Sequence, residues 1–145
     1  MHIENLEALT RVMQASISPV ALISGVGLLI LSQTNRFSIV TDRLRRLTSS
    51  REEIKADPAR ATRQITILLQ RARVLRLAIS AALICVLLAG MMVLLIFAVA
   101  ALDVPLQALV LLFFALSLIS LIASLLLFLR DMHLSLKAVE ELLRD

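Results

Sequence analysis

Two stretches of this chain, Leu77 to Leu102 and Val104 to Leu129, run without a single charged side chain, with only Asp103 between them. A helix of about 20 residues crosses the hydrocarbon core of a bilayer, and each run exceeds that length. A water-soluble domain of 145 residues has no interior that hides both. A third uncharged run, Val12 to Asn35, is also long enough but more polar, with Gln14, Ser16, Ser18, Ser24, Ser32, Gln33, Thr34 and Asn35 in it. Composition agrees, at 59% hydrophobic, 18% charged and a mean hydropathy of +0.92. Soluble domains average about 45–50% apolar residues. The chain therefore reads as an all-α integral membrane protein with three transmembrane helices and little room for a catalytic module.

Charge distribution orients it. Eleven of the fifteen Lys and Arg residues fall between Arg36 and Arg76, where four acidic residues leave a balance of +7. The first 35 residues, the stretch 77–129 and the tail from Arg130 each carry −1. Basic loops stay on the cytoplasmic side during insertion. The expected topology thus has an outer N-terminal segment (1–16), a first span (17–35), a basic cytoplasmic helical hairpin (36–76), second and third spans (77–102 and 104–129), and a cytoplasmic C-terminal helix (130–145). The net charge of +4 and pI near 10.6 come from this block, and nucleic acid is not an expected partner. The N-terminus carries Glu4 and Glu7 and lacks the basic start of a cleavable signal peptide. Lone Cys85, inside the second span, reads as a small packing residue.

Local signals place the helix ends. Ser18 before Pro19 resembles an N-cap with proline at the first helical position, so a regular helix is expected to start there. From Pro19 to Asn35 only about 25 Å of helix is available, so residues before it must help to cross, and Ile3, Leu6, Met13 and Ile17, at roughly helical spacing, suit either a short helix in the outer interface or a kinked extension of the span. Phe37, Val40, Leu44 and Leu47 continue the helical period past the membrane edge. Ser49 and Ser50 open a turn, and Asp57–Pro58 starts a second helix, in which Ala61, Ile65, Leu68, Ala72 and Leu75 keep a heptad spacing into the second span. The turn at Asp103 to Pro105 makes spans two and three an antiparallel hairpin. The tail keeps an apolar stripe of Leu129, Met132, Leu136, Val139 and Leu143.

No catalytic constellation emerges. His2 and His133 fall on opposite sides of the membrane in this topology, and neither a nucleophile elbow, a phosphate loop nor a metal-ligand spacing occurs. No enzyme activity, cofactor or metal is expected. The informative pattern is angular. With successive residues turned by about 100° around a helix, Glu7 and Arg43 fall in line with Gly25. Ser18 and Arg36 lie just to one side of that line, and Gln14, Ser32 and Ser50 just to the other. Polar groups in lipid require protein or water around them, so this narrow wedge is expected to be sheltered. One reading makes it a path at the axis of a homo-oligomer, lined by Gln14, Ser18, Gly25, Ser32, Arg36 and Arg43, with Leu22 and Leu29 as constrictions. The other is helix packing, with Ala21 and Gly25 as a small-residue pair. Ala81, Cys85 and Ala89, and Ser117, Ser120 and Ser124, form small ridges suited to close contact. Arg36 and Arg76 flank the expected membrane edges, where snorkelling to anionic headgroups is common, and Arg45, Arg46, Arg71, Arg73 and Arg76 are candidates for contact with anionic lipid headgroups, another anion or an acidic protein partner. The expected function is thus a homo-oligomeric channel or pore for ions or small solutes. The alternative is a membrane scaffold or accessory subunit whose basic helices bind lipid or a partner.

The stretch Ile17-Ser-Pro-Val-Ala-Leu-Ile-Ser-Gly-Val-Gly-Leu-Leu-Ile-Leu-Ser-Gln-Thr-Asn-Arg36, running into Asp42-Arg-Leu-Arg-Arg46, resembles a family of small bacterial inner-membrane proteins catalogued only as a domain of unknown function. Gln70-Arg-Ala-Arg73 and the tail from Leu134 extend the resemblance over most of the chain. It implies three spans in a bacterial cytoplasmic membrane and carries no activity with it.

Overall fold

The computed structural model describes residues 2–49, 57–102, 105 and 107–142. Among these residues the elements are three long helices: α1 (His2–Ser49), α2 (Pro58–Leu102) and α3 (Gln107–Leu142). Each contains a window long and apolar enough to cross a membrane, with mean hydropathies of 2.0, 3.0 and 2.8 in chain order. At about 1.5 Å per residue their lengths are about 72, 68 and 54 Å, well beyond the ~30 Å hydrocarbon core. Every helix therefore continues past the segment that could span.

Helix α2 starts where its sequence signal lies. The Arg60 N–H donates to Asp57 Oδ1 at 3.1 Å, and the Ala61 N–H donates to the Asp57 carbonyl at 3.1 Å. Pro58, with no N–H to satisfy, takes the first helical position. Helix α1 takes the course of an extended span and has no separate start at Pro19: it runs unbroken through Ser18, with a buried Pro19 in its interior. A helix beginning at Pro19 falls short of the bilayer and leaves several backbone groups unpaired in hydrocarbon, at several kcal/mol each. Losing the one hydrogen bond that Pro19 removes costs less, about 3 kcal/mol. The Ser49–Ser50 turn, the Asp103–Val104 turn and the end of the tail stripe at Leu143 fall partly or wholly outside the described residues.

The burial pattern inverts that of a soluble protein. Leu28 and Leu111 are 72% and 68% exposed, whereas Ala78, Ala82, Cys85 and Ala89 are completely buried. Lipid receives large side chains as readily as a protein core does, so contacts between membrane helices favour small residues that let backbones approach. The chain divides into two compact units. In the first (Met1–Ile30 with Ala81–Ile122), Val26, Ala82 and Cys85 form a core flanked by Leu22, Ile30, Val86 and Leu121. There the Ser120 hydroxyl donates to the Ala81 carbonyl at 2.7 Å, joining α3 to α2. In the second (Leu31–Ser80 with Ala123–Asp145), Val40, Leu75 and Ala78 are buried beside three polar side chains, Gln33, Ser124 and Asp131.

Candidate functional site

The polar core of the second unit is built by spacing. On α2 the buried residues Leu75, Ala78, Ala82, Cys85, Ala89 and Met92 alternate steps of three and four, and on α3 Ser117, Ser124 and Asp131 recur every seven. Both patterns hold one stripe against a neighbouring helix. On α1, Pro19, Val26, Gln33 and Val40 repeat every seven as well. Within the second unit these stripes produce two polar ties. In the first, Gln33 Nε2 donates to Ser124 Oγ at 3.0 Å, and that hydroxyl donates to the Ala78 carbonyl at 2.8 Å. In the second, Arg71 Nε donates to Asp131 Oδ1 at 3.2 Å. Arg36 approaches Oδ2 of the same carboxylate at 3.6 Å and lies over the Phe128 ring, 5.4 Å from its centroid. Each tie joins all three helices. Each also keeps one buried acceptor without a donor, Gln33 Oε1 and Asp131 Oδ2.

Asp131 was not singled out by sequence, where it counts as one charge of a polar tail flanked by Leu129 and Met132. The structure reverses that order: Leu129 and Met132 are 49% and 38% exposed and Asp131 is fully buried. The signal in the sequence was the seven-residue step from Ser117 through Ser124, which continues onto the acid. Gln33 is a similar case, since its neighbours in sequence drew attention to a different face.

That face, the wedge of α1, is open. Glu7, Gln14, Ser18, Gly25, Ser32 and Arg43 are exposed, while Leu29 and Arg36 are half-buried. Within one chain the wedge finds no shelter, because the buried seam of α1 lies roughly a quarter-turn away from Gly25. A Cβ added to Gly25 meets nothing within 4 Å. The hydroxyls of Ser16, Ser24 and Thr41 fold back onto the carbonyls of Val12, Val20 and Phe37, at 2.9, 3.2 and 2.8 Å. Among the described residues Ser18 and Ser32 make no such bond, and neither do Thr34 and Ser38. Beside Ser18, in the first unit, the small Ala15 side chain and the Pro19 ring leave an open cleft of about 380 Å³ walled by Met92, Ile96 and Phe114.

Of the arginines considered for lipid or anion contact, Arg45, Arg46, Arg73 and Arg76 are exposed. Arg71 is not: its side chain is 15% exposed and committed to Asp131. The His133 ring Nδ1 lies 2.9 Å from the Leu129 carbonyl, one turn back in its own helix. Among the described residues no three His, Cys, Asp or Glu side chains gather where they could hold a metal.

The profile of a family described as protein of unknown function (DUF2721) matches residues 16–141. No curated protein and no solved structure matches the chain.

Proposed function

The chain belongs to the DUF2721 family of proteins of unknown function, and from that premise we propose that it is a non-enzymatic, multi-pass protein of the bacterial cytoplasmic membrane that self-associates into a channel or pore. Its N-terminus lies outside and its C-terminus inside, as the +7 block requires. Copies meet along the wedge of α1, so that Gln14, Ser18, Gly25, Ser32 and Arg43 line a path for ions or small solutes. The observation that carries this reading is the outward position of the wedge, with Ser18 and Ser32 hydroxyls lacking a hydrogen bond within the described residues. Unsatisfied hydroxyls in hydrocarbon are costly, and water or another subunit removes the cost. Three helices of one chain do not surround such a path, hence the oligomer.

Single cysteines at Ser18, Gly25 and Ser32 in a Cys85→Ala background test it with a small water-soluble thiol reagent. Val20 and Leu31, exposed on another side of α1, serve as lipid-facing controls. Reaction at the three wedge positions, protection at the two controls and ion flux in liposomes are the expected results. Protection at all five, with no flux, eliminates the path. A second reading, a scaffold whose basic helices hold anionic lipid or a partner, is favoured by the exposure of Arg45, Arg60, Arg73 and Arg76. It becomes the better account if flux is absent while binding to anionic vesicles persists.

A further inference from the structure

The Asp131 tie contains two guanidiniums and one carboxylate, a surplus of one positive charge around a fully buried acid. The two arginines hold that acid unequally. Arg71 is hydrogen-bonded to Oδ1 and 15% exposed. Arg36 stands 3.6 Å from Oδ2, outside hydrogen-bond range, and its side chain is 37% exposed. Oδ2 accordingly has no hydrogen-bond partner. Arg36 makes no hydrogen bond among the described residues, and its other contact is the face of Phe128. Five donors on a planar fork are thus held by one long ion pair and one ring, with open surface beside them. Arg36 is also the first charge after the uncharged run 12–35, which sets it at the depth where headgroup phosphates begin.

We propose that Arg36 is an exchangeable cation, which leaves Asp131 to bind the phosphate of an anionic membrane lipid. The exchange balances charge. Asp131 and Arg71 stay behind as a neutral, hydrogen-bonded pair, and the surplus guanidinium acquires an anion of its own. A phosphate offers two oxygens to the parallel N–H groups of the fork, which Oδ2 at 3.6 Å does not. The inference rests on the spanning reading of α1 and is independent of whether its wedge lines a path.

The test uses the purified full chain in nanodiscs of phosphatidylcholine doped with phosphatidylglycerol, with retained lipid counted by native mass spectrometry. Arg36→Gln is expected to reduce phosphatidylglycerol retention about fivefold, the effect of one basic residue at an anionic surface. Arg45→Gln, further along α1 toward its C-terminal end, is expected to change it less than about twofold, being more than a Debye length away. Asp131→Asn, which releases Arg36 from its competitor, is expected to raise retention. Equal losses in Arg36→Gln and Arg45→Gln would indicate a diffuse basic surface and overturn the proposal, as would no loss in either. Retention that millimolar inorganic phosphate abolishes would assign the site to a soluble oxyanion and overturn the choice of lipid. Where Asp131→Asn does not fold, the two arginine variants decide alone.

Discussion

Gln33 and Ser124 illustrate how unequal the two ends of a hydrogen bond are. Ser124 serves two partners, accepting from Gln33 and donating to the Ala78 carbonyl. Ser124→Ala removes both bonds and leaves the whole Gln33 amide unpaired in a buried site. Interhelical hydrogen bonds in membranes average about 0.6 kcal/mol, and a stranded polar group adds about 1–3 kcal/mol, so the expected loss is about 2 kcal/mol. Gln33→Leu breaks one bond but also removes Gln33 Oε1, an acceptor that lacks a donor already. Its expected effect stays within about 1 kcal/mol. Equilibrium unfolding in mixed micelles ranks the two, and a Gln33→Leu loss larger than that of Ser124→Ala refutes the arrangement. Neither residue's role was legible beforehand. A glutamine and a serine in apolar helices announce that something polar is sheltered, but their pairing depends on which stripes of α1 and α3 face each other, a tertiary fact.

At the scale of the helix, much more was readable. The start of α2 followed from an acid before a proline, because capping is decided within one turn. Of the small ridge Ala81, Cys85 and Ala89, the last two sit on the buried face while Ala81 is half-buried, and Ala82 takes the buried place beside it. This face sets a steric limit. Ala82 is completely buried beside Val26 and Cys85, so Ala82→Leu forces the backbones apart and is expected to cost about 1–3 kcal/mol. Leu83, its neighbour, is 53% exposed, and Leu83→Ala is expected to remain within about 0.5 kcal/mol. Thermal unfolding of the pair in detergent checks this, and equal losses would contradict the orientation of α2. Ahead of Pro19 the sequence leaves two courses open, a separate interfacial helix and an extension of the span: Ser18–Pro19 carries the local signature of a beginning, and the demand that a helix in lipid reach both surfaces overrides it.

For the molecule as a whole, composition and runs of uncharged residues settle helix number and apolar length, since those depend on transfer free energy summed over a window. Which side of α1 looks outward does not follow from such sums. The open position at Gly25, where a Cβ meets nothing within 4 Å, gives a test of assembly. Gly25→Leu is expected to leave the monomer's stability unchanged or slightly higher, because glycine costs about 1 kcal/mol in a helix interior, while lowering the apparent mass of the proposed assembly in light scattering. An unchanged mass would remove Gly25 from any subunit contact. Within the second unit, the ties at Ala78 and Arg71 on α2 and at Ser124 and Asp131 on α3 are each seven residues apart. Equal spacing opposes piston motion: sliding α3 one turn toward the apolar run would put Leu134 opposite Arg71 and carry the Asp131 carboxylate toward hydrocarbon, and sliding it the other way would put Phe128 there and part both ties. Movements open to this part of the molecule are therefore swings and bends about locked rungs, with the long Arg36 contact as the joint that gives first.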